Sequence, residues 1–220
     1  MSVPEYIEKH GVLHQDLAFP YRFLKPANAS GACLFLLHGS GVDETTMLPI
    51  ARQIAPDATL VAVRGRIPQE DGFRWLERIT PTRFEQASIR AETSAFAAFA
   101  SEAAKHHRLD LTRATFLGYS NGANLVSSLM LLHRGLVRKA ALLRAMPVLD
   151  DMPSADLNGT RVLIIAGAAD ETYGPFAPAL VTLLTKRGAE IDARIVASGH
   201  DIGEPDAAIV RQWLAEPIAA

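Results

Sequence analysis

The pentapeptide Gly118-Tyr119-Ser120-Asn121-Gly122 sets a serine hydroxyl between two glycines. A G-x-S-x-G pattern arises by chance in roughly 7% of chains this long at ordinary residue usage, so its weight comes from its surroundings. An apolar run at residues 115–119 (TFLGY) leads into the serine, and a helical pattern carrying Leu125, Val126, Leu129, Met130 and Leu132 leads out of it. This is the strand–turn–helix setting in which a serine is presented as a nucleophile on a tight, strained turn. Glycines are needed there because a Cβ would strike neighbouring backbone. The plainer alternative is a Ser-Asn helix cap after a strand.

A serine hydroxyl attacks a carbonyl carbon only with a base beside it. Seven histidines are available. His10 and His14 lie near the N-terminus, and His106, His107 and His133 fall at helix ends, where a surface or dipole-facing role suits them. His38 and His200 directly follow apolar runs. His200, in Ser198-Gly199-His200-Asp201, stands between the last expected strand and the last expected helix, on the carboxyl edge of the sheet where such folds bind ligands. It is the candidate base.

A carboxylate between Ser120 and His200 would orient the imidazole. Asp170 ends an apolar strand and a small-residue turn (VLIIAGAAD, residues 162–170), whose lack of bulk lets it approach the histidine loop; Asp150 and Asp151 are its rivals. The Leu37-His38-Gly39-Ser40-Gly41 stretch follows the first core strand. Its Ser40 N–H, with the Asn121 N–H, is placed to hold a developing oxyanion, an interaction typically worth ~3 kcal/mol per donor. His38 then reads as a hydrogen-bonded group shaping this loop. The loop lacks the G-x-G-x-x-G or Lys-Ser/Thr pattern of a phosphate cradle.

The elements that must position these groups read as alternating strands and helices. Apolar runs at 32–37, 59–63, 115–119, 140–144, 162–166 and 191–197 are mostly apolar throughout, as in parallel strands covered on both faces. Helical patterns fall at 45–55, 84–107, 121–133, 176–187 and 205–215, with Gly135 and Gly188 at expected C-caps. The pattern predicts one α/β domain over residues 1–220, with residues 1–30 forming an antiparallel edge hairpin. Residues 64–83 show no periodicity and form a long loop of the kind that carries function. In it, Phe73 and Trp75 are candidates for the substrate pocket, with core anchoring an equal reading for Trp75, and Arg74 reads as a solvated surface arginine, a contact for an anionic substrate being the alternative.

Composition closes off other classes. Of 220 residues, 22 are Lys or Arg and 24 are Asp or Glu, a net charge of −2 that offers no basic footprint for nucleic acid. No run approaches the ~20 apolar residues of a membrane span, and the N-terminus has no apolar signal core, so a cytoplasmic protein is expected. The lone Cys33 rules out an intrachain disulfide and reads as an inert buried thiol.

With LHGSG at 37–41, GYSNGA at 118–123, GAAD at 167–170 and SGH at 198–200, the chain resembles the phospholipase/carboxylesterase family of α/β-hydrolases, relatives of acyl-protein thioesterases, over residues 24–214. The resemblance implies a mostly parallel central sheet with helices on both faces, and the element spacing leaves no room for a large cap domain. It implies a Ser120–Asp170–His200 triad, no metal or other cofactor, and a small carboxylic ester, thioester or lysophospholipid as substrate. A homodimer is implied on the same ground only. Many members carry Gln-Gly-Gly after the serine where this chain has Asn121-Gly122-Ala123, and the VRGR segment at 63–66 is closer to a bacterial branch that includes quinone-stress hydrolases. Small esters are therefore expected over lysophospholipids and acyl-thioesters. Perhydrolysis and a non-catalytic ligand receptor remain the alternatives, and turnover separates the receptor from an enzyme.

Overall fold

The computed structural model describes residues 3–69 and 71–216. The chain begins with α1 (Val3–His10), followed by the short β1 (Leu13–His14) and β2 (Tyr21–Leu24). The hairpin expected in residues 1–30 is present, but a helix precedes it. That helix has Glu5 in its first turn and Lys9 and His10 in its last, charges matched to the helix dipole. Then come β3 (Cys33–Leu37), α2 (Leu48–Ile54) and β4 (Thr59–Val63). Residues 64–83 are not irregular: they hold β5 (Ile67–Gln69) paired with β6 (Gly72–Arg74), and β7 (Arg78–Thr80) paired with β8 (Arg83–Phe84). Two- and three-residue strands are too short for alternation to register in sequence. The remainder is α3 (Gln86–His107), β9 (Ala114–Tyr119), α4 (Asn121–Leu132), β10 (Lys139–Leu143), β11 (Arg161–Gly167), α5 (Ala177–Lys186), β12 (Glu190–Val196) and α6 (Glu204–Ala215).

Eight strands form one sheet in the order β1-β2-β4-β3-β9-β10-β11-β12. It is parallel from β4 through β12, and only the β1–β2 and β2–β4 pairings are antiparallel. The reason the core strands are apolar throughout is visible in their neighbours. Leu34 and Leu36 pack with Leu48, Ile54, Val210 and Trp213 of α2 and α6. Phe35 and Leu37 belong to the opposite cluster, with Phe96 and Phe99 of α3, Leu125 and Leu129 of α4, and Leu180 of α5. Each alternate side chain thus meets a helix layer, and both faces are covered. Cys33 lies in β3, buried, its thiol pushed up to about 12 by that burial. Among the described residues no helix is long and apolar enough to cross a membrane.

The 64–83 segment is tied to the sheet edge by His38. The imidazole is fully buried; its Nδ1 lies 2.6 Å from the Gly39 carbonyl, and its Nε2 accepts from the Gly65 N–H at 2.9 Å. Trp75 Nε1 donates to the His38 carbonyl at 2.9 Å, and the Trp75 ring packs between Phe19 and Phe96. This pattern requires the neutral Nδ1–H tautomer, since a proton on Nε2 would face the Gly65 donor. Burial pushes the His38 pKa down to about 4, against the opposing pull of the Gly39 carbonyl and the Asp43 and Glu44 charges.

Because the folded value lies below the unfolded one of about 6.5, the unfolded chain takes up the proton first; the stability is present above that value and is lost as pH falls toward the folded one. Between about pH 7.5 and pH 5 this single group removes about 2 kcal/mol. His38→Gln keeps a donor and an acceptor without the titration, so urea unfolding at the two pH values is expected to show a correspondingly smaller acid loss in the variant.

Candidate active site

Strand β9 ends at Tyr119 and α4 begins at Asn121, leaving Ser120 alone to make the turn at φ 52 and ψ −117. Side-chain-bearing residues rarely adopt such a conformation, which costs on the order of 1–3 kcal/mol. The surroundings impose it. A Cβ on Gly122 would sit 2.3 Å from the Leu37 carbonyl oxygen, and one on Gly118 would sit 2.6 Å from the Ala123 Cα. The Ser120 N–H donates to the Leu143 carbonyl at 2.8 Å, pinning the turn to the end of β10.

Ser120 Oγ lies 2.8 Å from His200 Nε2, and His200 Nδ1 lies 2.8 Å from Asp170 Oδ2. Asp170 is buried, and its other oxygen accepts from the Thr172 and Tyr173 N–H groups at 3.1 and 3.0 Å. Burial alone would raise its pKa. The Tyr173 N–H, the His200 ring and the Thr172 N–H outweigh burial and hold the carboxyl below the usual range, so it is ionised at neutral pH. The turn before Asp170 approaches the histidine loop as its small residues suggest: a Cβ on Gly167 would fall 2.1 Å from the Gly199 carbonyl oxygen. The rival acids Asp150 and Asp151 are exposed on the loop after β10. His200 is flanked by aromatic rings, with Tyr173 edge-on at 5.0 Å between centroids and Tyr119 at 5.6 Å.

The histidine loop is held by a residue whose part is not apparent from the sequence motifs. Arg144, just past β10, is 1% exposed and itself has a positive φ of 54. Its guanidinium donates to the Gly199 and Asp201 carbonyls, each at 2.9 Å, and to Ser198 Oγ at 2.9 Å, so it grips the backbone on both sides of His200. Asp206 of α6 balances its charge at 2.8 Å and also accepts from the Gly203 N–H at 2.9 Å. The available signal was a charge closing an apolar run (AALLR), because a buried arginine must be paired.

The loop after β3 lies against the elbow: a Cβ on Gly39 would be 3.7 Å from Ser120 Cβ. The Gly41 N–H donates to the Phe73 carbonyl at 2.9 Å. The Asn121 N–H opens α4, where helix geometry leaves no carbonyl to take it. The Asn121 side chain turns the other way, its Oδ1 accepting from the Trp75 and Leu76 N–H groups at 2.7 and 3.2 Å. Ser40, Tyr119, Ser120, Thr172, Tyr173 and His200, with Arg78 and Pro81 from the β7–β8 hairpin, line a cavity of about 370 Å³.

Neither Phe73, expected in the pocket, nor Trp75, expected there or as a core anchor, is among those lining residues. Trp75 is fully buried in the core. Phe73 carries the Arg64 guanidinium 4.8 Å above its ring, and Arg64 is bound in turn to the buried Glu44 at 2.5 Å. Arg74, read as a surface residue, is 7% exposed and reaches Ser40 Oγ at 3.4 Å.

No protein-family model matches the chain. A search of curated proteins finds the putative hydrolase MhqD of Bacillus subtilis, 31% identical over 186 residues, covering 84% of this chain and 93% of that protein. Among solved structures, the carboxylesterase from Mesorhizobium loti is 76% identical with a TM-score of 0.92, covering 94% of this chain and 99% of that one. The Bacillus cereus carboxylesterase is 26% identical with a TM-score of 0.86, over 97% of this chain and 98% of its own. With an eight-stranded, mostly parallel sheet, a strained serine elbow and these relatives, the chain belongs to the phospholipase/carboxylesterase family of α/β-hydrolases.

Proposed function

We propose that the protein is a carboxylesterase that hydrolyses small esters through an acyl-enzyme on Ser120. The observation that carries this reading is the unbroken line from Ser120 Oγ through His200 to Asp170, with both links at 2.8 Å. His200 takes the hydroxyl proton as Oγ attacks the ester carbonyl, and Asp170 holds the tautomer and faces the imidazolium that forms. The N–H groups of Ser40 and Asn121 receive the oxyanion, aided by the positive end of α4. As the tetrahedral intermediate collapses, the proton on His200 passes to the leaving alkoxide. Water, deprotonated by the same histidine, then attacks the acyl carbon; one ester and one water give one acid and one alcohol.

The cavity favours short acyl groups. Its volume of about 370 Å³ is bounded by the polar or charged Ser40, Arg78, Thr172 and His200, whereas a long chain needs an extended apolar wall. A p-nitrophenyl ester series is expected to give its highest kcat/KM at acetyl to butyryl and to fall at octanoyl and beyond.

Ser120→Ala is expected to lose at least 10³-fold in kcat and all labelling by a fluorophosphonate, with circular dichroism unchanged; labelling that persists in the variant would overturn the assignment of Ser120. Arg144→Lys keeps the charge but cannot span Gly199, Ser198 and Asp201 together. Misplacement of His200 by such a change costs on the order of 10²-fold, so steady-state kinetics should show kcat reduced with KM little changed.

A further inference from the structure

Four arginines are buried in this protein: Arg22, Arg74, Arg144 and Arg161. Three of them face carboxylates. Arg22 meets Glu44 at 2.7 Å, Arg144 meets Asp206 at 2.8 Å, and Arg161 meets Glu216 at 2.6 Å. Arg74 alone has no acid opposite it among the described residues. Among the described residues its one side-chain hydrogen bond is to the neutral hydroxyl of Ser40 at 3.4 Å, and its Nε is buried without a hydrogen-bond partner there. This unbalanced charge sits beside the serine loop that borders the reactive cavity.

A second guanidinium compounds the imbalance. Arg78 lines the same cavity as Ser120 and His200, has no ion pair among the described residues, and is close enough for its charge to bear on Arg74. Elsewhere the fold neutralises its buried cations, because an unpaired charge away from water is costly and a like charge nearby adds to that cost. Here the missing anion has a place to come from, since Arg78 lines the substrate cavity and Arg74 lies behind it, reaching Ser40 of the same lining. A carboxylate entering it would meet planar donors suited to bidentate binding.

We propose that Arg74 and Arg78 form an anion subsite of the active site, and that the preferred substrate is an ester bearing a free carboxylate, such as a monoester of a short dicarboxylic acid. This rests on the esterase reading above and narrows its substrate class. Hydrolysis of such a monoester consumes one water, releases the alcohol and leaves a second carboxyl group that ionises at neutral pH, so each turnover yields one proton that a pH-stat records.

The test compares monoethyl succinate with diethyl succinate, and the butyrate ester of glycolate with ethyl butyrate, by pH-stat at low ionic strength. The first pair carries the carboxylate on the acyl side and the second on the alcohol side, so the pair with the larger preference locates the subsite relative to the scissile bond. Wild type is expected to favour the anionic member of at least one pair at least tenfold in kcat/KM. That ratio should fall at least tenfold in Arg78→Gln and in Arg74→Gln. Arg78 is exposed, so its variant reports even where the buried Arg74 variant fails to fold. Neutral esters cleaved as fast as their anionic partners, or a preference untouched in Arg78→Gln, would overturn the subsite while leaving the esterase standing. Should no ester turn over and Ser120 resist fluorophosphonate, the esterase reading falls instead. Thermal shift with monoethyl succinate then decides the subsite: stabilisation lost in Arg78→Gln supports it, and no stabilisation overturns it.

Discussion

Ser120 occupies a backbone conformation it would not choose, and two strand ends and a distant loop hold it there. Leu37 at the end of β3 leaves no room for a Cβ on Gly122, Leu143 at the end of β10 takes the Ser120 N–H, and Asn121 reaches across to the backbone of Trp75 and Leu76. The strain of the turn is thereby spread over contacts that also set the loop after β3 and the 64–83 segment. A sheet covered on both faces supplies the rigidity: β3, β9 and β10 are neighbours in its middle, each flanked by parallel partners.

Around this point the charges are arranged in separate closed groups. Glu44 binds Arg22 and Arg64 near the antiparallel edge, and Arg144 binds Asp206 beneath the histidine loop. Neither group is worth much as net stability against an apolar replacement, since desolvation offsets most of the attraction. Their value is geometric: one fixes the base of the 64–83 segment, the other fixes the backbone on either side of His200. The VRGR segment now has a physical meaning. Arg64 pairs with Glu44, the Gly65 N–H meets His38, and Arg66 pairs with Glu92 at 2.8 Å.

The sequence was legible where a single physical demand dominates. Parallel strands buried on both faces must be apolar, so the core strands could be placed to within a residue or two; 59–63 matches β4 at both ends. The elbow glycines and the small turn before Asp170 were legible because close backbone approach leaves no other choice. Legibility failed where distant partners decide. Helix α1 has too few residues to show a period, and β5 to β8 are too short to alternate. Arg74, Phe73 and Trp75 are adjacent in sequence, yet one borders the serine loop, one supports Arg64 and one fills the core; only the pairing of β6 with β5 and the contacts of its flanks separate them. Arg144 carried a hint in its isolation among apolar neighbours, but its partners in the histidine loop and α6 lie more than fifty residues away.

That last separation has a consequence in time. Arg144 and Asp206 are 62 residues apart, and Ser120 and His200 are 80 apart. On the ribosome, at roughly 5–20 residues per second, about 3 to 12 s pass between the synthesis of Arg144 and that of the acid that neutralises it. Throughout that interval Arg144 lacks the acid that faces it in the finished molecule, where it is buried. The strand cannot be sealed at that edge until the final helix arrives, and the serine has no base until the same moment. Closing this charge pair and completing the reactive centre therefore both wait for residues 198–206.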